Sequence, residues 1–374
     1  METIPIVIDN GSSTTKAGFA GVEKPKVVFP TIVGEWKSAD LVEERQKDYY
    51  IGPEIFKEQD SLLFNKPIEF GLYQNWEWME KIWQHTFYNE LRVSPEDHPV
   101  LLAERPASTK VIRENITEIM FETFKVPFMY LANQCALSLY ATGKTTGVVI
   151  DSGGGVTHVL PVYDGYAIPH AINKTHIGGD QVTDYFTKIV NEERERSFTN
   201  SIEDKLKVSG AKEQLGYVAL DFEEEMDNAS KNTAKFEKSY RLPNKEVICL
   251  GNERFRGPEI NFNPTLVGSE QFGIHEIVFN SIMKCDRDFR RYLFKNISLA
   301  GGNTLFPGFE ERLTKEMKQK IKTLEISVTA PPDRKYSAWK GGSILSSLST
   351  FKDMWITTKE YEETGTSIVH KKCF

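Results

Sequence analysis

The segment Ile4-Pro-Ile-Val-Ile-Asp9-Asn10-Gly11-Ser12-Ser13-Thr14-Thr15-Lys16 has a counterpart far along the chain, Gly147-Val-Val-Ile-Asp151-Ser152-Gly153-Gly154-Gly155-Val156-Thr157-His158. Both copies run from an aliphatic stretch into Asp, any residue, Gly and further small residues. Both then leave through a second stretch, Ala17-Gly-Phe-Ala-Gly21 in one and Val159-Leu-Pro-Val162 in the other. A short apolar run bounded by turn residues reads as a buried strand, so each copy reads as a hairpin with a small, hydroxyl- or glycine-rich tip. The two aspartates stand 142 positions apart, a separation of domain size that predicts a duplicated core.

Helical patterns fill the space between the copies. Met79, Ile82, Trp83, Phe87 and Leu91 recur at helical spacing, as do Ile112, Ile116, Ile119, Met120 and Phe124 before Pro127. Strands alternating with helices predict an α/β architecture. Residues 31–66 are polar and punctuated by Gly34, Gly52 and Pro53, which reads as a small insertion. Residues 178–258, with charged helices and a turn at Pro243-Asn244-Lys245, read as its equivalent in the second half. A third glycine-rich element, Ile297-Ser-Leu-Ala-Gly301-Gly302-Asn303-Thr304-Leu305-Phe306-Pro307-Gly308-Phe309, reads as a buried strand, a tight crossing and a helix carrying Phe309, Leu313 and Met317.

At 374 residues the chain exceeds one compact core, and 40% hydrophobic content supplies two. A net charge of −7 gives no mark of a general nucleic-acid binder. Cys135, Cys249, Cys285 and Cys373 lack paired spacing, which excludes a zinc knuckle or a disulfide framework. No apolar run approaches the roughly 18 residues that span a bilayer, and the opening residues do not read as a signal peptide. The expectation is a soluble protein of the cytosol or nucleus that inserts in no membrane.

A nucleotide phosphate chain needs backbone N–H donors, small residues that let it approach, a cation and a place for magnesium. Loops rich in Gly, Ser and Thr supply the first two. Lys16 is placed to neutralise a phosphate, and Asp9 and Asp151 at strand ends suit hydrated magnesium. The crossing at Gly301 and Gly302 leaves bare backbone for a base or ribose. Any one of these elements is explained equally well as a tight turn; three in order, two of them repeated, favour a nucleotide site.

The chain also resembles actin along nearly its whole length. Asp9-Asn-Gly-Ser12 with Lys16-Ala-Gly-Phe-Ala-Gly21 is similar to that family's first phosphate loop. Met79-Glu-Lys-Ile-Trp83, Phe87-Tyr-Asn-Glu-Leu-Arg-Val93 and His98-Pro-Val-Leu-Leu102 match its first helical region, and Ile119-Met-Phe-Glu-Thr-Phe124 matches closely as well. Val218-Ala-Leu-Asp-Phe222, Gly251-Asn-Glu-Arg-Phe-Arg256, Phe279-Asn-Ser-Ile-Met-Lys-Cys-Asp286, Arg334-Lys-Tyr-Ser337, Gly341-Gly-Ser-Ile-Leu345 and Ser367-Ile-Val-His370 through Lys372-Cys-Phe374 extend the match.

The resemblance implies the actin-like ATPase fold: duplicated ribonuclease-H-like domains, two lobes of two subdomains, and ATP or ADP with Mg2+ or Ca2+ in a central cleft. It divides the chain into subdomain 1 (1–30, 67–141 and 335–374), subdomain 2 (31–66), subdomain 3 (142–177 and 259–334) and subdomain 4 (178–258). By motif, Asn10, Gly11, Ser12, Ser13, Thr14 and Lys16, with Ser152, Gly153, Gly154, Gly155 and Val156, would hold phosphates. Asp9 and Asp151 would arrange the metal through water. Gly178, Lys212, Glu213, Gly301, Gly302, Asn303, Phe306 and Lys335 would surround the adenosine. Gln134 and His158, with Asp151, would be catalytic, positioning the attacking water, a role that suits phosphoryl transfer. Taken without the resemblance, Gln134 reads as a helix cap and His158 as a satisfied cleft histidine.

The resemblance further implies a cytoskeletal filament of self-associated subunits with slow ATP hydrolysis. Polymer contacts would come from Leu41 and Val42 in the loop 38–46, and from Leu266, Val267 and Phe272. A groove between subdomains 1 and 3, from Tyr140, Gly143, Thr145, Tyr166, Leu345, Leu348 and Met354, would take a helix of a regulatory protein. The chain departs from the family pattern at Gly154, where an Asp is usual, and at Ser13, where a Gly is usual; Ser209 replaces Arg, Phe306 replaces Tyr and Phe70 replaces His. Gly154, Ser13 and the acidic loop tip at Glu43 and Glu44 leave open a nucleotide-binding subunit that caps or scaffolds filaments and polymerises poorly. A sugar kinase or chaperone of the wider superfamily is disfavoured, because no general base beside a substrate pocket and no further peptide-binding domain can be assigned.

Overall fold

A computed structural model describes residues 3–37, 47–56, 61–199 and 201–373. The chain separates into two compact units, Met1–Thr145 with Lys335–Phe374, and Thr146–Arg334.

The first unit is built on a sheet in the order Ile356–Thr357, Phe128–Asn133, Val100–Glu104, Ile6–Asn10, Thr14–Phe19, Val27–Pro30. Ile6–Asn10 is buried at every residue, as a strand covered on both faces must be. It pairs antiparallel with Thr14–Phe19, placing Asp9 opposite Lys16, and parallel with Val100–Glu104, placing Ile8 opposite Leu102. The helices Gln134–Tyr140 and Ser337–Ser347 pack together so closely that a Cβ at Gly341 would stand 1.8 Å from the Leu137 carbonyl oxygen. Trp339, fully buried, donates its indole N–H to the Val7 carbonyl at 2.9 Å and ties the second of these helices to the central strand.

The second unit repeats the plan, with a sheet in the order Tyr166–Ala167, Thr157–Tyr163, Gly147–Ser152, Ile297–Ala300, Val328–Thr329, and Asn173–Thr175 paired to Thr157–Tyr163. Gly147–Ser152 pairs antiparallel with Thr157–Tyr163, placing Asp151 opposite His158, and parallel with Ile297–Ala300, placing Ile150 opposite Leu299. The tips close alike: Gly11 N–H donates to Thr14 C=O at 3.0 Å and Gly153 N–H to Val156 C=O at 3.1 Å. Strand sense, register and tip closure all coincide, so the duplication expected from the aspartate spacing is present in the backbone.

Each unit carries additional structure of its own. Residues 31–66 include a three-stranded sheet, Tyr49–Ile51, Val33–Trp36 and Leu62–Asn65. Residues 178–258 include the helices Gly179–Arg194 and Ile202–Leu215 and the hairpin Lys238–Arg241 with Val247–Leu250. The two helical stretches of the first unit differ from the plain α-helices expected. Trp76–Gln84 and Lys110–Glu118 are α-helical, but His85–Leu91 and Ile119–Thr123 widen into π-helix. The wider turn is visible at Phe124, whose N–H reaches back five residues to Ile119 C=O at 3.1 Å. It lets Ile119, Met120 and Phe121, three consecutive residues, all be buried.

Candidate nucleotide site

At the first hairpin, Asp9 ends the aliphatic run and is only 4% exposed. Its Oδ2 lies 3.1 Å from Lys16 Nζ, its partner in register. Its Oδ1 accepts from Gln134 Nε2 at 2.8 Å. Gln134 can reach it because it opens the helix Gln134–Tyr140, whose start is fixed by Asn133 Oδ1 accepting the N–H of Cys135 at 3.0 Å and of Ala136 at 3.3 Å. Beneath the tip, Asn10 Nδ2 donates to Thr15 Oγ1 at 3.1 Å, Asn10 Oδ1 accepts from Trp83 Nε1 at 2.9 Å, and Thr15 Oγ1 meets Thr31 Oγ1 at 3.0 Å. Asn10 therefore braces the loop from below. Ser12 Oγ accepts from Gly71 N–H at 3.1 Å, and Ser13 C=O accepts from Thr31 N–H at 3.1 Å. At Gly11 a Cβ would come within 3.1 Å of Thr14 O and 3.4 Å of Lys16 Nζ, so the small residue keeps the lysine close to the tip.

The second hairpin is docked on a helix start. Gly179 N–H donates to Gly153 C=O at 2.9 Å and Asp180 N–H to Gly154 C=O at 2.8 Å. These are first-turn amides of Gly179–Arg194, which have no partner within their own helix; the loop carbonyls satisfy them. Gly178 lies against the loop so tightly that a Cβ there would be 2.5 Å from Gly154 O and 2.9 Å from Val156 N. Its own N–H donates to Gln181 Oε1 at 2.9 Å. Ser152 Oγ meets Thr157 Oγ1 at 2.6 Å, and Thr157 Oγ1 donates to Ile177 C=O at 2.6 Å. His158 is buried on the outgoing strand.

The third glycine-rich element passes directly beside this hairpin. Gly301 has φ +84°, and a Cβ there would stand 2.2 Å from Ser152 O and 2.8 Å from Asp151 Oδ1. Only glycine fits such a crossing. At Gly302, by contrast, nothing among the described residues lies within 4 Å of a Cβ. Asn303 is buried and donates Nδ2 to Ser152 Oγ at 2.9 Å and to Asn261 Oδ1 at 2.8 Å, so its amide hydrogens are committed within the unit.

Lys212 is 5% exposed, and its Nζ donates to Gly179 C=O at 3.0 Å and Thr183 Oγ1 at 2.8 Å. Burial lowers its pKa, against the opposing influence of Glu213, Asp180 and Asp184. Glu213 accepts from Ser209 Oγ at 2.9 Å. Phe306 is buried in the core of the second unit, where a Cβ at Gly216 would meet its ring at 2.8 Å. Lys335, in the first unit, holds its Nζ over the Tyr336 ring at 4.8 Å from the centroid.

Among the described residues no three His, Cys, Asp or Glu come together as a metal cluster. Asp9, with one oxygen on Lys16 and the other on Gln134, is suited to hold a hydrated divalent ion through water. Magnesium, which keeps most of its own water and needs few carboxylates, fits that donor set.

Of the remaining expected contacts, Leu41 and Val42 lie outside the described residues. Val267 and Phe272 are 40% and 60% exposed, while Leu266 packs partly against the second core. Tyr140, Leu345 and Met354 pack on the first core, Leu348 is exposed, Gly143 turns with φ +72°, and Thr145 is exposed; Tyr166, in the second unit, is 71% exposed.

Three supports of the loops were not among the residues expected from sequence: Trp83 and Thr31 beneath the first tip, and the seating of the second loop on Gly179 and Asp180. The run Gly178-Gly179-Asp180-Gln181 carried a signal for the last of these, since a Gln three residues past a small residue marks a helix start.

Paired hairpins on duplicated mixed sheets, with the inserted elements described above, define the actin-like ATPase fold. The family model for actin matches residues 1–374, the whole chain, and the protein belongs to the actin family. Members of that family generally bind adenine nucleotide with a divalent cation and are generally ATPases. No helix among the described residues is long and apolar enough to cross a membrane.

Proposed function

We propose that this chain binds ATP with Mg2+ and assembles into filaments, hydrolysing the nucleotide slowly as it does so. The observation that carries the reading is the matched pair of hairpins, each with an aspartate opposite a cationic or proton-carrying side chain, Asp9 with Lys16 and Asp151 with His158. In this reading the loops Gly11 to Thr14 and Gly153 to Val156 cradle phosphate with amides other than those of Gly11 and Gly153, which close the tips, and Lys16 supplies a charge. Asp9 and Asp151 hold the hydrated ion, which when bound neutralises phosphate charge. Gln134 and His158 orient water. Gln134 is well supported for this work, because its anchor to Asp9 fixes its amide relative to the first loop.

Filament contacts would use Val267 and Phe272, both exposed, and Leu41, Val42 and Leu266. Tyr140, Gly143, Thr145, Tyr166, Leu345, Leu348 and Met354 would meet helices of actin-binding proteins, and the setting would be the cytoskeleton of the cytoplasm. The four-subdomain division belongs to the same reading. A second reading, a nucleotide-binding subunit that caps or scaffolds filaments, is favoured by one observation: Gly154 carries no carboxylate where the family usually has one. Sedimentation in magnesium and potassium with phosphate release followed in parallel decides between them. Pelleting with accompanying release is expected, and a chain that stays in the supernatant at high concentration overturns the filament reading.

A further inference from the structure

Lys212 does something other than what its residue type suggests. Its ammonium is buried against Gly179 C=O and Thr183 Oγ1, and Thr183 Oγ1 itself donates to Gly179 C=O at 2.8 Å. Two side chains, bonded to each other, thus close on one carbonyl at the first residue of Gly179–Arg194. The N–H of that residue and of the next hold the second loop through Gly153 and Gly154. Lys212 belongs to the last turn of Ile202–Leu215, where it is also tied by its own carbonyl, which accepts from Gly216 N–H at 2.9 Å. A continuous chain of bonds therefore runs from the end of one helix, through a lysine, to the start of another, and on to the glycine loop.

We infer that Lys212 is a positioning residue: by clamping the Gly179 carbonyl it fixes the helix start on which the loop Gly153 to Val156 is seated. It acts on any ligand of that loop through the backbone rather than by contact. Gly178 makes the seat unforgiving, since loop carbonyls and amide already crowd its Cα. A small rotation of the helix start would move the loop with it. This inference shares with the nucleotide reading only the statement that the loop holds phosphate.

The test exploits the two amides. The N–H groups of Gly179 and Asp180 have no intrahelical acceptor, so their hydrogen exchange reports loop seating directly, in the chain without added nucleotide. Residue-resolved exchange is compared for the unaltered protein, Lys212→Met and Thr183→Val, alongside the dissociation rate of a fluorescent ATP analogue in Mg2+. Both variants are expected to speed exchange at Gly179 and Asp180 about tenfold or more, with the amides of residues 186–190 unchanged, and to speed analogue release severalfold. Unchanged exchange at the two amides in folded Lys212→Met or Thr183→Val overturns the inference, including when analogue release accelerates, since that pattern means direct contact. If Lys212→Met fails to fold, Thr183→Val decides alone. An unaltered protein that binds no analogue defeats the nucleotide reading and leaves the exchange result to judge the positioning role.

Discussion

Replacing Gly178 with alanine tests how rigidly the second loop is seated. Gly178 is extended, φ −145° and ψ −170°, so alanine adds no backbone strain and its effect is purely steric. The new Cβ would stand 2.5 Å from Gly154 O, 2.9 Å from Val156 N and 3.0 Å from Gly153 O, whereas ordinary contact begins at 3.4 Å. The loop must withdraw by up to about 0.9 Å, enough to carry bonds of 2.9 and 2.8 Å beyond hydrogen-bonding range. Two lost bonds of about 1 kcal/mol each, with some residual crowding, cost about 2–3 kcal/mol. The reduced entropy of the unfolded chain returns about 0.4–1 kcal/mol. A net loss of about 2 kcal/mol lowers the melting temperature of a unit this size by about 4–8 °C. Thermal denaturation monitored by circular dichroism measures it, with Gly302→Ala as the control: nothing among the described residues opposes a Cβ there, only the unfolded-chain entropy acts, and the melting temperature is predicted to rise by about 1–4 °C. A Gly178→Ala protein that melts within about 1 °C of the unaltered one, with Gly179 and Asp180 still protected from exchange, would refute the packing argument.

Buried pairs elsewhere in the molecule respond to other perturbations. Glu259, 2% exposed, accepts from Arg312 at 3.1 and 3.0 Å. Burial, offset in part by Arg312, pushes its pKa up to about 7, so its stabilising contribution is full below the unfolded value and falls as pH rises through 7. Arg312→Met strands the carboxylate and should cost about 3–5 kcal/mol, more at pH 8 than at pH 6, read by denaturant titration at both; an equal loss at both contradicts it. Glu35 joins the small sheet to the helix Trp76–Gln84, accepting from Trp78 Nε1 and Lys81 Nζ, each at 3.2 Å, and from Asn65 Nδ2 at 2.9 Å. Glu35→Ala should free that sheet by about 1–2 kcal/mol, seen as several-fold faster proteolysis within residues 47–65 with the rest of the chain unaffected. Gly154→Asp restores a carboxylate to the second loop and should make nucleotide retention more dependent on divalent cation, measured as analogue release with and without chelator; identical cation dependence refutes it.

The parts of the fold that were legible in sequence were those set by local pattern. The aliphatic runs before Asp9 and Asp151 announced strands because a doubly covered strand must be apolar throughout, and all of Ile6–Asn10 is buried. The glycine at 301 was recognisable as a tight crossing, but not its neighbour, Ser152, because chain approach depends on packing between segments 149 residues apart. The π-helical turns at 85–91 and 119–123 were hidden for a similar reason: apolar spacing of three and four residues suits both helix types, and the core decides between them. Lys212 was named only through the resemblance, as part of the adenosine's surroundings, and not as a clamp, since the oxygens it faces belong to Gly179 and Thr183, distant in sequence. Gln134 read as either cap or catalytic group; the cap turned out to be Asn133, which leaves the Gln134 amide for Asp9.

Whether the two hairpins are phosphate loops is decided by calorimetric titration of the purified chain with ATP in the presence of Mg2+. Saturable binding of one nucleotide per chain, weakened when Asp9 is replaced by alanine, is the predicted result. Absence of any binding heat or displacement at millimolar ATP with a folded protein would contradict it.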